Sequence, residues 1–381
     1  MKGLQGLKEK LQELRDSGVT VWSISRLDSY KNCAQGYKFS YIDKHKGLDN
    51  VYSFYGTAIH DAEETIYNTP GITPEDAKGI LRAKFKEAQN YIDNHNLKYE
   101  TDRLKPYKER EVRHLLKFAS ETIESNFMES VGHYIDNFYL SDKKRINETF
   151  ILLQIGDCWI QGYVDVIQAN DKEDKSLHII DYKTSSEFSA ADKIDKGRQL
   201  LLYAYGIEKL TGYKVGRVSW DMIKYHNVKY KGKTRKRKTL YLRKGWVAKF
   251  LDEIRLSLLE IGTDEFDIPN IIAEAIEKNK LPPQIADMFE ITKGYIDHPI
   301  TEENIAEMLE YIQSTVEKIG DDQKFKPRKI TEYDSFFCQT LCNSRLICPD
   351  LRDFRDKQKA LGNIEDEYDE VFEDSFENLF G

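Results

Sequence analysis

Cysteine is scarce in this chain: five in 381 residues, an odd number, which argues against a disulfide framework. Apolar runs are short as well, and none approaches the ~20 residues that a membrane-spanning helix needs. The opening segment MKGLQGLKEKLQELRDSG has no apolar centre of the kind a signal peptide carries. No G-x4-G-K-[ST] loop occurs, so any motor activity would belong to a separate chain. Nine prolines and 22 glycines are too few for collagen-like or low-complexity sequence. What remains is the expectation of a globular, cytosolic protein with 40% hydrophobic and 32% charged residues. Its length permits one large domain or two smaller ones.

The net charge of −8 is unevenly distributed. Residues 362–381 hold eight acids and no Lys or Arg, so residues 1–361 sum to −8 − (−8) = 0. Such a tail is too charged to fold alone. Its Phe372, Phe376, Leu379 and Phe380 suit a docking peptide, a DNA mimic covering basic surface, or a plain solubilising tail. Basic charge gathers instead at 229–238, KYKGKTRKRK, where Lys229, Lys231, Lys233, Arg235, Lys236, Arg237 and Lys238 stand without an acid. This run is expected to protrude between two strands and bind phosphates without reading sequence, with Tyr225 and Tyr230 near enough to stack on bases.

Leu4, Leu7, Leu11 and Leu14 form one stripe of a short amphipathic helix over residues 1–20. Ser25 is a candidate cap for a helix over 26–34. The segment FYGTAIHDAEETIYN (54–68) suggests a glycine turn entering a helix with Ile59, Ala62 and Ile66 inward, and 75–131 two or three more helices. The period then changes. Residues 148–171 and 176–186 predict three antiparallel strands, 196–212 a helix ending at Gly212, 215–225 a strand and 239–242 a short one. The rest, to about 320, is expected to be mostly helical. The order predicts a mixed α/β core with a helical periphery over 21–361, followed by the acidic tail.

Chemistry concentrates in GYVDVI and IIDYKTS. Side chains at i and i+2 of a strand share a face, so Asp181 and Lys183 point together and Tyr182 away. A hairpin of this length brings Asp165 beside them. Two carboxylates on adjacent strands suit a hard cation, Mg2+ or Mn2+. A neighbouring lysine can hold or deprotonate the attacking water and offset phosphate charge.

Four pieces in this order, GTAIH with His60, GYVDVI with Asp165, IIDYKTS with Asp181 and Lys183, and QLLLY with Gln199 and Tyr203, give the chain a specific resemblance. It is similar to the RecB-type branch of the PD-(D/E)XK nuclease superfamily, which includes the AddB nuclease domain and CRISPR-associated adaptation nucleases. The resemblance spans about residues 22–350 and implies the restriction-endonuclease-like core, a mixed central sheet flanked by helices with helical insertions. It implies that His60, Asp165, Asp181 and the backbone carbonyl of Tyr182 bind the metal. Lys183 would serve the water, while Gln199 and Tyr203 would orient the lysine and the DNA backbone. Glu148 matches an acidic position without an assigned role. Cys33 with Cys338, Cys342 and Cys348 resembles the cysteine staple of the same branch, implying a 4Fe-4S cluster that ties the two ends of the domain together. The C-x3-C-x5-C spacing is one residue longer than that branch's usual C-x2-C-x5-C. On softness alone, zinc suits four thiolates equally. Cys158, beside Trp159 in an apolar strand, is expected in the core.

The expectation is a metal-dependent DNA nuclease, an exonuclease on ends or single strands, serving recombination, repair or mobile-element replication. Helicases, recombinases or single-strand binding proteins are its expected partners. The competing reading is a catalytically inactive nuclease-fold module that binds DNA and recruits partners through its tail.

Overall fold

Apolar alternation makes the strands, and the computed structural model, describing residues 2–105, 115–170, 175–234 and 240–362, gathers them into a seven-stranded mixed sheet. In chain order the elements are α1 (Leu7–Asp16), β1 (Val21–Trp22), α2 (Ile24–Asn32), α3 (Ala34–Tyr37), α4 (Val51–Asn68), α5 (Pro74–Arg103) and α6 (Glu121–Asp136). Then come β2 (Arg145–Ile155), β3 (Cys158–Ala169), β4 (Leu177–Lys183), α7 (Ala190–Thr211), β5 (Val215–Tyr230) and β6 (Leu240–Leu242). The last are α8 (Leu251–Glu260), α9 (Ile268–Glu277), β7 (Phe289–His298), α10 (Glu302–Asp321) and α11 (Pro349–Ala360).

Strands β2, β3 and β4 form an antiparallel meander; β4 and β5 are parallel and joined by α7, and β1 runs parallel to the start of β3. Helices cover both faces. Leu27 of α2, Leu200 and Ile207 of α7, and Met308 and Ile312 of α10 pack with Ile151, Ile179 and Val218. On the other face Ile59 and Ile66 of α4, Leu81 of α5 and Phe127 of α6 pack with Val166, Ile180 and Tyr182. Sequence alternation thus sends Ile179 and Ile180 to opposite layers. A smaller cluster around Val228, Trp246, Phe250 and Phe289 fills a lobe built on the far half of β5. Leu11 and Leu14 of α1 close over Phe150 and Leu152.

The mixed α/β core follows expectation; several boundaries do not. Ser23, not Ser25, caps α2 by accepting the Arg26 N–H, so the helix begins at Ile24. Gly56 makes no turn: a capping box between Asn50 and Ser53 starts α4 five residues earlier. The stretch after 242 is mostly helical as expected, but it also holds an unanticipated strand, β7, which pairs with β5 from Val218–His298 to Tyr230–Phe289 with a register shift between Asp221 and His226. Among the described residues, no helix is long and apolar enough to cross a membrane.

Candidate active site

The ladder between β3 and β4 stops at the pair Val166–Ile180. Beyond it the strands part, and the Tyr182 N–H donates to Asp165 Oδ2 at 2.9 Å instead of to a main-chain carbonyl. The chain therefore gives up a sheet hydrogen bond to turn a carboxylate into the gap. From α4, packed on the adjoining face, His60 reaches the same place. Its Nδ1 is 3.4 Å from Asp165 Oδ2, and its Nε2 is 3.2 Å from the Tyr182 carbonyl oxygen.

Glu148 of β2 completes a trio, with ligand atoms of His60, Glu148 and Asp165 all within 4.8 Å of one another. Its backbone is left-handed, φ +49°, an uncommon conformation for a residue with a side chain. Asp181, 2% exposed, lies outside that trio and pairs with Lys183, Nζ to Oδ2 2.6 Å. On α7, Gln199 donates from Nε2 to the Tyr203 hydroxyl at 2.7 Å. Gly162 is the reason that Tyr203 fits: a Cβ there would stand 2.7 Å from the tyrosine ring.

Electrostatics follow from burial. Asp165 is pushed well above the usual carboxylate range by desolvation and then by Asp181, with Lys183 and the Tyr182 N–H opposing. Partial burial and then Glu64 raise Glu148. Burial works against the Lys183 ammonium, but Asp181 beside it prevails and raises it. His60 is lowered, chiefly by burial, and so stays a neutral imidazole. Tyr203 is raised by burial and by both aspartates, which keeps its proton on. Crowded acids that resist ionisation, beside a neutral imidazole and a carbonyl, form an oxygen-rich donor set that fits Mg2+ or Mn2+.

Sequence reasoning missed what lies beneath. Glu63, one turn after His60, is 1% exposed; it accepts from Tyr182 Oη at 2.9 Å and from Tyr134 Oη, and lies 3.6 Å from Arg145. Arg145 also donates to Tyr182 Oη at 2.8 Å. The signal was a glutamate inside the apolar stripe Ile59, Ala62, Ile66.

The cysteines Cys33, Cys338, Cys342 and Cys348 line one small cavity between α3 and the start of α11. Burial, then the neighbouring thiols, push Cys338 up to about 12, and burial first pushes Cys348 up to about 11. Cys33 Sγ accepts the Gly36 and Arg328 amides at 3.3 and 3.4 Å. Cys158 lies apart, half-buried at the start of β3.

The basic run is less available than its composition suggested. Lys229 pairs with Glu290 at 2.8 Å and Lys231 with Glu260. Lys233 closes the turn with Tyr230, their amides and carbonyls bonding reciprocally at 2.9 Å. Tyr230 is not free to stack on bases, because it packs on Phe289 and its hydroxyl accepts from Ser257. Tyr225 Oη accepts the Glu187 amide at 3.3 Å. Arg235, Lys236, Arg237, Lys238 and the acidic tail from residue 363 lie outside the described residues.

Carboxylates, an imidazole and an ammonium gathered where two strands of a mixed sheet part are the equipment of a metal-assisted hydrolytic centre. The chain belongs to the PD-(D/E)XK nuclease superfamily, whose family model matches residues 21–349. No curated protein matches the chain.

Proposed function

We propose that the chain is a DNA exonuclease of the RecB/AddB-like branch, acting on ends or single strands with Mg2+ or Mn2+ held by His60, Glu148, Asp165, Asp181 and the Tyr182 carbonyl. The observation that carries this reading is the convergence of His60, Glu148 and Asp165 within 4.8 Å, with Asp181 and Lys183 alongside. The cation, when bound, supplies Lewis acidity towards a phosphoryl oxygen and makes water a better nucleophile. The protein's own groups divide the remaining work. Lys183 stays an ammonium, so it donates hydrogen bonds to the attacking water or the phosphate and does not serve as a base. Tyr203 accepts from Gln199 and keeps its own proton, so its hydroxyl remains a donor beside Asp181 and Asp165. Lys229 and Lys231 are already paired with Glu290 and Glu260, so phosphate contacts from the basic run fall to Lys233 and the cations that follow it.

The test compares linear and circular single-stranded DNA with added Mn2+. Linear strands should shorten from an end while circles survive. Asp181→Asn and Lys183→Ala should each lower the rate at least about a hundredfold and leave DNA binding intact. Undiminished digestion by Asp181→Asn refutes the site; binding without cleavage by the native chain favours the inactive module.

We infer a 4Fe-4S cluster at the cysteine cavity from the likeness of its four cysteines to the staple of the RecB-type branch, although zinc suits four thiolates equally on softness. Protein isolated without oxygen should be brown, and Cys338→Ser should lose the colour and much of the stability. A colourless native protein that contains zinc overturns this assignment.

A further inference from the structure

A second cleft lies between α6, the turn after β6, the end of α9, and the paired far halves of β5 and β7. Its volume is about 930 Å3, and none of its lining residues belongs to the His60–Asp165–Lys183 centre. Small-ligand sites have this size. Three of its lining rings, His133, His226 and Trp246, carry a buried nitrogen with no hydrogen-bond partner. His226 is 0% exposed with neither ring nitrogen hydrogen-bonded, and Trp246, 2% exposed, has no partner for Nε1. The rings meet edge to face at 4.9 Å. Buried polar atoms are rarely left unpaired, and those that are call for a partner.

The surrounding charge is cationic. Arg243, Lys244, Lys278, Lys280 and Lys293 line the cleft against Glu129, Asp136 and Glu277; Lys293 is paired with Asp221 at 3.4 Å, Lys278 with Glu274 at 2.5 Å, Lys244 with Glu129 at 2.9 Å and Asp136 with Arg82 at 3.1 Å. Tyr139, 52% exposed, stands among the lining residues as a flat surface.

We propose that this cleft is a second binding site, specific for a nucleotide, with the base stacked on Tyr139 and the phosphate held by Arg243 and Lys280. His226 serves the edge of the base. Burial, then Arg243, lower it to about 2, so the neutral ring offers one donor and one acceptor nitrogen. The same chemistry fits a free mononucleotide or one unit of a strand.

The test uses the full chain carrying Asp181→Asn, in EDTA, so that neither turnover nor active-site metal contributes and failure of the nuclease reading leaves the result interpretable. dAMP, dTMP, oligothymidylate and inorganic phosphate are titrated by calorimetry. Tyr139→Ala and Lys280→Gln, both exposed and outside the core, should each weaken nucleotide binding about tenfold. Saturable mononucleotide binding lost in both variants identifies a free nucleotide as ligand. If only the oligonucleotide binds, and both variants weaken it, the occupant is a unit of a strand. Phosphate binding as tightly as dAMP overturns the proposal, as does nucleotide binding unchanged in both variants or no binding at all.

Discussion

Removing the Glu63 side chain strands three partners at once. Arg145, its guanidinium only 3% exposed, loses the carboxylate 3.6 Å away, and the hydroxyls of Tyr134 and Tyr182 lose their acceptor. Breaking a buried ion pair from one side costs about 3–5 kcal/mol, and an unsatisfied buried hydroxyl about 1–3 kcal/mol. Glu63→Ala is therefore expected to lose at least about 3 kcal/mol. Glu63→Gln should lose less, since its carbonyl oxygen still accepts one of the two hydroxyls. Adding Arg145→Met to Glu63→Ala removes the stranded charge and should recover about 1–3 kcal/mol, a coupling of the size that double-mutant cycles read for contacting groups. Urea unfolding followed by tryptophan fluorescence measures all three, because Trp220 is fully buried in the sheet. The functional readout is metal demand: Tyr182 carries both the hydroxyl in this network and the carbonyl that faces His60 at 3.2 Å. Glu63→Gln should need more Mn2+ for half-maximal cleavage. Strictly additive single and double losses, or a cost under about 1 kcal/mol for Glu63→Ala, would refute the network.

Gly162→Ala should displace the Tyr203 ring and slow cleavage by about ten- to a hundredfold, the usual penalty for misplacing a group by an ångström, with circular dichroism unchanged. Acid should destabilise the protein early. Burial foremost lowers His133 to about 4, His178 to about 3 and His226 to about 2. Each folded value lies below the ordinary 6.5, so the unfolded chain takes up protons first. Their stabilisation is complete above pH 6.5 and is lost as pH falls through it, at about 1.4 kcal/mol per pH unit for each histidine. Urea midpoints at pH 7 and pH 5 check this, and His178→Gln should flatten the slope.

Much of the fold was legible because each signal was local. Val, Ile and aromatic runs marked β2 to β5, and the i, i+2 relation of Asp181 and Lys183 put both on one face. The miss at β7 has a physical cause: FEITKGYIDH mixes lysine, glycine and acids, and its pairing with β5 is interrupted between Asp221 and His226. The site divides in the same way. His60, Asp165 and the Tyr182 carbonyl converge across three elements that were each readable, and the resemblance grouped them. Glu148 had no assigned role because a residue's backbone handedness has no signature in composition. Glu63 was hidden since burial of a charge depends on a partner 82 positions away, Arg145. The basic run misled because its neutralising acids, Glu260 and Glu290, come from distant elements.

The left-handed backbone at Glu148 also bears on how this chain would respond to selection. That conformation costs a side-chain-bearing residue about 1–2 kcal/mol, and glycine adopts it freely. Breeding for heat tolerance alone would favour glycine at 148 and silently discard the carboxylate. Libraries of this protein should be sorted on turnover and robustness together, or the hardiest survivors will be inert.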